Sequence, residues 1–171
     1  NVYSLEASNG ALIWSYNTGF YVYSSPAVAD GVVFIGSYDS RLYAFGKIIK
    51  VPEDYPTVQA AVNAAPSGAT ILIAPGVYQE SIIINKTLTI LGERGSGTTF
   101  TGGGSGTAIT ITGTGASGTN VAQVTINNYA QGISIDNSAN CRIFDNIMYS
   151  MTDSGIAVIG SNAANHLVYN N

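Results

Sequence analysis

The stretch that decides the fold runs from Val58 to Gly92. In order it reads Val58-Gln-Ala-Ala-Val-Asn-Ala-Ala, Ser67-Gly-Ala-Thr-Ile-Leu-Ile-Ala-Pro-Gly-Val-Tyr-Gln-Glu, Ile82-Ile-Ile and Leu88-Thr-Ile-Leu-Gly. The first segment has the apolar spacing of a short amphipathic helix, and the others are short strands with Gly, Pro and Asn at their corners. A helix followed at once by such strands is typical of the capped start of a parallel β-helix.

The helix predicted at the start of this stretch covers about residues 57–65. Thr57 is a suitable N-cap, and Pro66-Ser-Gly ends the helix. One face carries the apolar residues Val58, Ala61, Val62 and Ala65. We expect this face to lie on the end of the strand stack and to keep its first turn from pairing with another strand edge.

After the helix, apolar and polar side chains alternate along short strands. Ile109 and Ile111 flank Thr110, which places one row of side chains in a core. The same pattern recurs at residues 124–126, 133–135 and 156–158. Segments that begin with Asn120, Asn140 and Asn165 recur at roughly two dozen residues, the length of a solenoid turn. The repeats predict about four turns and a stack about 20 Å long.

Three segments of this region resemble the opening of pectin-lyase-like right-handed parallel β-helix proteins. They are Asp54-Tyr-Pro-Thr-Val-Gln-Ala-Ala-Val-Asn-Ala-Ala, Gly68-Ala-Thr-Ile-Leu-Ile-Ala-Pro-Gly-Val-Tyr-Gln-Glu and Leu88-Thr-Ile-Leu-Gly. The resemblance implies a short right-handed parallel β-helix over residues 47–171. It extends to pectinesterases, polysaccharide lyases, periplasmic copper-maturation proteins and archaeal surface proteins, of which we favour the last. Gly76-Val-Tyr-Gln-Glu matches a pectinesterase segment that is structural and not catalytic.

The first 46 residues follow a different pattern, which predicts an antiparallel sheet. Tyr3 and Tyr43 are separated by roughly forty residues, the length of one four-stranded propeller blade. Strand candidates between them are residues 11–16, 24–29 and 32–37. Asp30-Gly is a hairpin signal because both residues tolerate positive φ. The chain is therefore predicted to be all-β, with a blade-like domain at 1–46 and a β-helix domain at 47–171.

The N-terminal segment resembles one repeat of the pyrroloquinoline-quinone-type β-propeller family. The matching residues are Tyr3-Ser-Leu-Glu-Ala-Ser-Asn-Gly-Ala-Leu-Ile-Trp-Ser-Tyr, Ser24-Ser-Pro-Ala-Val-Ala-Asp-Gly-Val-Val-Phe-Ile-Gly-Ser and Leu42-Tyr-Ala-Phe. The resemblance implies that Trp14 packs between neighbouring blades. It implies no cofactor, because the quinone sits on the axis of a closed ring of several blades. We favour aromatic packing on a sheet over ligand stacking for Trp14, Tyr21, Tyr23, Tyr38 and Tyr43.

Composition narrows the function classes. Charged residues make up 9% of the chain, the net charge is -4, and the 6 Lys and Arg are spread along the sequence, which argues against nucleic-acid binding. Apolar residues occur in short segments, which predicts a soluble chain with no membrane span. The single cysteine, Cys141, excludes an internal disulfide. Since no signal peptide opens the sequence, we expect the chain to begin after a processing point or within a longer protein.

Two sets of residues are candidates for metal binding. If the Asn-led segments align, Val121, Cys141 and His166 fall on one row, and a Cys and a His one turn apart could bind copper. Oxygen ligands for calcium could come from the corner residues Asp136, Asp145, Asp153, Asn128, Asn146 and Asn162. Ordinary inward stacking explains the first set, and left-handed corners with stacked amides explain the second. We therefore predict no metal site and no cofactor.

No catalytic residues are assigned. The pectinesterase segments Asp-Phe-x-x-Gly and Gly-Arg-Pro-Trp are absent from the sequence. A lyase reaction needs a basic residue to abstract a proton, and Arg142 is the only candidate near the acidic corners. His166, the one histidine, has no neighbours in the sequence that would orient it in a Ser-His-Asp set. We therefore predict that the protein is not an enzyme.

A modification site is predicted at Asn85-Lys-Thr, which is an N-glycosylation sequon. It lies between two strand candidates, where an exposed corner is expected. In an exported protein Asn85 would be open to glycosylation.

Three functions compete on these observations. The first is a non-enzymatic structural protein, extracellular or at the cell surface, that self-associates into a surface layer, sheath or filament. Strand edges left open at both ends would then join subunits head to tail. The alternative is a carbohydrate-binding or polysaccharide-lyase-like β-helix module, with sugars laid over Tyr129, Tyr149 and the Asx corners. A third and weaker hypothesis is a periplasmic metal-handling protein that uses His166.

Overall fold

A computed structural model describes residues 1–5, 9–29, 32–46, 48–93 and 97–171. The side chains of Ser4, Ile13, Trp14, Ala29 and Val32 are likewise outside the description. The chain is mostly β, with 46% of its residues in strands and 6% in helix. It divides into two compact units, the N-terminal unit Asn1–Gly46 and the β-helix unit Lys47–Asn171. Each is described by itself below.

The N-terminal unit is antiparallel throughout its described strands. Its strands are β1 (Val2–Leu5), β2 (Leu12–Tyr16), β3 (Ala27–Ala29), β4 (Val32–Ser37) and β5 (Arg41–Phe45). They form a two-stranded sheet, β1-β2, and a three-stranded sheet, β3-β4-β5. The expected single blade is thus divided, because residues 17–26 are irregular backbone with bends and form no strand that would bridge the sheets. The predicted Asp30-Gly hairpin turn lies outside the described residues.

The β-helix unit is a parallel solenoid of about five turns, which confirms the predicted fold. Its elements are β6 (Ile48–Val51), α1 (Val58–Ala64), β7 (Thr70–Ile73), β8 (Gly76–Tyr78), β9 (Ile82–Ile84), β10 (Thr89–Gly92), β11 (Thr98–Thr101), β12 (Thr107–Thr112), β13 (Asn120–Ala122), β14 (Thr125–Asn127), β15 (Gln131–Asp136), β16 (Arg142–Phe144), β17 (Ile147–Tyr149), β18 (Ser154–Ile159) and β19 (Leu167–Tyr169). A short 3-10 turn at Thr114–Ala116 follows β12. The Asn-led repeats predicted fewer turns because the first turns, built on β6 and β7, carry no Asn corner.

Three parallel sheets form the walls of the solenoid. The first sheet has the order β6-β7-β10-β13-β16-β19, the second β8-β11-β14-β17 and the third β9-β12-β15-β18. Successive turns therefore stack strand on strand, with sequence offsets between bonded partners such as 22 and 25 residues. This stacking satisfies backbone N-H and C=O groups between turns in place of pairing within one hairpin.

The core consists of side chains that stack in vertical rows. One row in the first sheet is Ile49, Ile71, Ile90, Val121, Ile143 and Val168. One row in the third sheet is Ile82, Ile109, Ile133 and Ile156. Ile90 and Ile109 are 0% exposed. The predicted period-two alternation therefore identifies the core, since every second side chain of a strand faces the same side.

The corners between sheets require left-handed backbone. Gly118, Asn140 and Asn165 occupy one corner in successive turns, with φ of 80°, 56° and 57°. Asn is among the few residues with a side chain that tolerate this region, and Gly has no side chain to strain it. Of the six Asx residues that the sequence assigned to left-handed corners, Asn128 and Asp145 have positive φ, at 58° and 55°, whereas Asp136, Asn146, Asp153 and Asn162 do not.

Candidate functional site

The two ends of the described β-helix differ in how its core is covered. At the β19 end, Val168 is 46% exposed whereas Ile143 below it is 0% exposed, and Val158 is 46% exposed whereas Ile135 below it is 0% exposed. These side chains continue core rows, so the apolar cross-section of the solenoid faces outward here. We call the surface formed by β17, β18 and β19 the open end.

Large apolar side chains surround the exposed core rows of the open end. Members more than half exposed are Ile147 at 62%, Tyr149 at 52% and Ile159 at 53%. Tyr169 on β19 stacks on Phe144, with ring centroids 5.2 Å apart and an interplanar angle of 6°. Because apolar surface beside open strand edges is the kind of surface through which proteins associate, the open end is the candidate functional site of this unit.

The opposite end is closed by α1. Thr57 is the N-cap, as predicted, and its Oγ1 accepts a hydrogen bond from the Ala60 N-H at 3.1 Å. Val58, Ala61 and Val62 are buried against the first strands. The helix thus covers the core rows that remain exposed at the open end.

Gln59 of α1 also blocks the edge of β9. Its side-chain Oε1 accepts a hydrogen bond from the Ile83 N-H at 2.7 Å, and its Nε2 donates to the Ile83 carbonyl at 3.3 Å. A side-chain amide therefore replaces the neighbouring strand that β9 lacks on this side. This arrangement protects the edge against pairing with another chain.

Two charged residues hold α1 at its ends. The Glu80 carboxylate accepts hydrogen bonds from the N-H groups of Val58 at 2.9 Å and Gln59 at 3.0 Å. The Lys86 Nζ donates to the carbonyls of Asn63 and Ala65, each at 3.1 Å. The negative charge of Glu80 at the helix start and the positive charge of Lys86 at its end are both favourable to the helix dipole. In so short a helix, the direct hydrogen bonds to these charged groups contribute more to stability than the dipole does.

Glu80 explains the Gly76-Val-Tyr-Gln-Glu segment. The first helical turn of α1 contains no acidic residue. Its free N-H groups are instead bound by the carboxylate of Glu80, which lies about twenty residues later in the sequence, just after β8. In the same segment the Tyr78 hydroxyl donates to the Ala74 carbonyl at 2.9 Å. Sequence reasoning assigned this segment a structural role but did not connect Glu80 with the helix.

Replacing Glu80 by alanine is expected to lower the free energy of unfolding by about 2 kcal/mol, because two charge-assisted hydrogen bonds to helix N-H groups are lost. Urea denaturation measures this change, and hydrogen exchange should show faster exchange of the Val58 and Gln59 amides. Glu53→Ala is the matched control, since the Glu53 side chain is 68% exposed and forms a surface ion pair with Lys50. Unchanged protection of both amides in Glu80→Ala would contradict the assigned contact.

The predicted copper row is wrong in its register. Val121 pairs with Ile143 and not with Cys141, and Thr119 lies opposite Cys141. The reason is the corner at Gly118, which takes the position that Asn140 has in the next turn, so that alignment on Asn120 was displaced by two residues.

Cys141 and His166 do lie in adjacent turns. The Cys141 N-H donates to His166 Nδ1 at 3.3 Å, while His166 Nε2 is buried without a hydrogen-bond partner. Burial raises the pKa of the Cys141 thiol, which keeps it protonated. Among the described residues, no group of three or more His, Cys, Asp and Glu side chains could hold a metal ion.

The acidic corner residues occupy different corners and form no common calcium site. Asp136 ends β15, Asp145 follows β16, and Asp153 precedes β18, where it accepts a hydrogen bond from Gln131. Asn146 is instead a buried structural residue. Its side chain accepts from the Val124 N-H and donates to the Val121 carbonyl and to Asn171 Oδ1. This amide ladder was predicted for the Asx corners.

Of the two rings predicted to form a sugar-binding surface, Tyr129 and Tyr149, only the second is exposed. Tyr129 is 3% exposed, and its hydroxyl donates to the Glu80 carbonyl at 2.8 Å. Burial raises the pKa of its phenol. Tyr149 remains on the surface, where its hydroxyl accepts a hydrogen bond from Asn127. A platform of both rings is therefore excluded.

No known family model, curated protein or solved structure matches the chain. Within the described ranges, no helix is long and apolar enough to cross a bilayer. The site assignments accordingly rest on the geometry of this chain alone.

The two remaining predicted residues lie on strands or corners. Trp14 is in β2, opposite Ser4, but its side chain is outside the described part of the chain, so its packing role stays a prediction. Asn85 is exposed at the corner after β9. The third sequon residue, Thr87, donates its hydroxyl to the Ser117 carbonyl at 2.7 Å. Glycosylation of Asn85 stays a prediction.

A polar cluster in the N-terminal unit was not predicted as a site. The Tyr43 hydroxyl donates to Asp39 Oδ2 at 2.6 Å and lies 3.0 Å from the Thr18 carbonyl. Asp39 Oδ1 accepts from the Arg41 N-H at 3.1 Å. The hydrogen bond from Tyr43 lowers the pKa of the Asp39 carboxyl below its ordinary value, and the same bond raises the pKa of the Tyr43 phenol.

Replacing Tyr43 by phenylalanine is expected to raise the Asp39 pKa towards its ordinary value, because the carboxylate loses its shortest hydrogen bond. Because the folded pKa is depressed, the stabilisation from this carboxylate is present above the ordinary pKa and is lost as pH falls through the folded value. Carboxyl carbon NMR shifts recorded against pH measure the change. Tyr38→Phe is the control and should leave the titration unaltered, since Tyr38 is a solvent-exposed ring.

Proposed function

We propose that this chain is a non-enzymatic structural protein, extracellular or at the cell surface, and a building block of a layer, sheath or filament. We assign its β-helix unit to the pectin-lyase-like surface proteins and its N-terminal unit to the quinone-type propeller repeats. The observation that carries the proposal is the asymmetry of the β-helix, since core rows closed by α1 at one end are exposed at the other.

The open end is suited to strand addition. Its strands present unpaired backbone groups, and its half-exposed core side chains Met148, Ile156, Val158 and Val168 would be buried by any further layer of strands. Backbone hydrogen bonds and apolar burial would then act together, as they do between successive turns of the same chain.

The closed end changes the expected geometry of assembly. Head-to-tail stacking would bring an open end against α1, where Gln59 already occupies the backbone of Ile83. We infer that two open ends meet instead, related by a two-fold axis, so that their strands pair antiparallel. Growth beyond such a pair would use a second surface of the molecule.

The decisive experiment measures self-association of the full chain by sedimentation velocity over a wide concentration range, with and without a chelator, and by electron microscopy. We expect association that survives the chelator. Val168→Lys at the open end should abolish it, because a charge would be buried in the interface. Val77→Lys, on a side chain 67% exposed on β8, is the matched control and should associate normally. A wild-type chain that stays monomeric throughout would overturn the proposal.

The alternative is a carbohydrate-binding or polysaccharide-lyase-like β-helix module. In its favour, Tyr149, Arg142 and Asp145 are exposed on neighbouring strands and corners of the last turns. It requires calcium-dependent binding or cleavage of an acidic polysaccharide that is lost in Asp145→Ala. If the wild-type chain associates and shows neither activity, this alternative fails.

A further inference from the structure

The N-terminal unit carries a continuous row of exposed aromatic rings. Phe20, Tyr21, Tyr23 and Tyr38 are 56%, 64%, 74% and 69% exposed. Their ring centroids follow each other at 5.1, 5.8 and 5.4 Å. We call these four residues the aromatic row. Rings that contact one another edge-on or at an offset leave much of each face open to a ligand.

A cavity of about 330 Å³ adjoins the row. Phe20 belongs to both, and the cavity is otherwise lined by Tyr16, Asn17, Thr18, Gly19, Asp39, Arg41 and Tyr43. It therefore combines aromatic walls with a carboxylate, a guanidinium, an amide and a phenol. Three of the eight lining residues are aromatic and most of the others are polar, which suits a ligand that presents both hydroxyl groups and apolar faces.

The polar groups of the cavity are held in place before any ligand arrives. Tyr43 and the Arg41 N-H fix the Asp39 carboxylate, and Asn17 Oδ1 accepts from the Gly19 N-H at 2.8 Å. Gly19 has a φ of 81°, and a Cβ built on it would come within 3.7 Å of Asp39 Oδ2. The loop therefore favours glycine at the floor of the cavity. Preorganisation of this kind lowers the entropic cost of binding.

The chemistry of the surface indicates a neutral saccharide. Apolar faces of pyranose rings pack on aromatic rings, and paired hydroxyl groups match the planar carboxylate and guanidinium groups of Asp39 and Arg41. These two charges compensate each other, so the cavity offers no net positive charge for an acidic sugar. The net charge of the chain, -4, further disfavours polyanions.

The surroundings of the row differ from those of a protein interface. Ser24 and Ser37 lie beside it, the first exposed and the second half-buried, with their hydroxyls bonded to the backbone of Gly36 and Tyr21. Asp39 follows at the cavity. Serine and aspartate are depleted in the cores of protein interfaces.

We propose that the N-terminal unit binds a neutral oligosaccharide, with one sugar ring in the cavity at Phe20, Asp39 and Arg41 and the following sugars on Tyr21, Tyr23 and Tyr38. This binding is independent of the assembly through the open end. The proposed carbohydrate site lies on the N-terminal unit, whereas the alternative function above places carbohydrate on the β-helix unit.

Isothermal titration of the full chain tests the proposal. The probes are neutral hexasaccharides of β-1,4- and β-1,3-linked glucose, of mannose, of galactose and of N-acetylglucosamine, with hexagalacturonate as the acidic counterpart. We expect at least one neutral probe to bind and hexagalacturonate to bind more weakly. Tyr23→Ala and Asp39→Ala should each weaken binding about tenfold.

Tyr3→Ala is the matched control, because Tyr3 is 59% exposed in the same unit but outside the row. It should leave the affinity unchanged, as should Val168→Lys, which separates this proposal from the assembly at the open end. Three results would overturn it: no neutral probe binds, binding is lost in Tyr149→Ala and kept in Tyr23→Ala, or Tyr23→Ala abolishes self-association while no sugar binds. The last result would assign the row to a contact between protein chains.

Discussion

Replacing Ile84 by alanine is expected to lower the free energy of unfolding by about 2–5 kcal/mol. Ile84 is the last residue of β9 and is 0% exposed. It stacks on Ile111 of the next turn, so truncation removes apolar contacts and leaves a cavity between two layers of strands. The packed neighbours above and below cannot collapse into this space without displacing a whole turn.

The same substitution at Ile83 is the matched control within one strand. Ile83 points outward, is 56% exposed, and contributes its backbone to Gln59 of the cap. Ile83→Ala should therefore change the free energy of unfolding by no more than about 0.5 kcal/mol. Urea denaturation followed by far-UV circular dichroism compares both variants. Equal losses at the two positions would contradict the assignment of the inner and outer faces of β9.

Replacing Gly92 by alanine is expected to lower the free energy of unfolding by about 3 kcal/mol. A Cβ at this position would overlap the carbonyl oxygen of Gln123 in the next turn and come within 3.2 Å of the Thr98 Cβ. A carbonyl oxygen cannot rotate away as a long side chain can. The corner between the first and second sheets would have to shift, with loss of the neighbouring ladder hydrogen bonds.

Gly103→Ala controls for the general effect of adding a methyl group to a glycine of this unit. A Cβ at Gly103 meets no atom within 4 Å. We expect its effect to stay within about 0.5 kcal/mol. Thermal unfolding measured by calorimetry would show the contrast as a lowered midpoint for Gly92→Ala only. A normal midpoint for Gly92→Ala would show that the two turns lie further apart than described.

The sequence by itself determined that residues 47–171 form a parallel β-helix and which face of its alternating strands points inward. The alternation around Thr110 suffices there, because neighbouring side chains of a strand point to opposite faces whatever the strand pairs with. In Ile82-Ile83-Ile84 all three residues are apolar, so only the structure shows that Ile83 faces outward. The helix could also be predicted from the sequence, because its signals are local: the N-cap Thr57 and the apolar residues Val58, Ala61 and Val62 lie within a few residues of one another.

Which residues meet between turns was decided only in the tertiary structure. The turns differ in length, at 22 and 25 residues, and one corner has Gly118 where the later turns have Asn. Together these differences move the stacking partner of a side chain by two positions. The Cys141 row was misassigned for this reason. The burial of Tyr129 and the capping of α1 by Glu80 and Lys86 depend on contacts between residues more than twenty positions apart, which no local periodicity encodes.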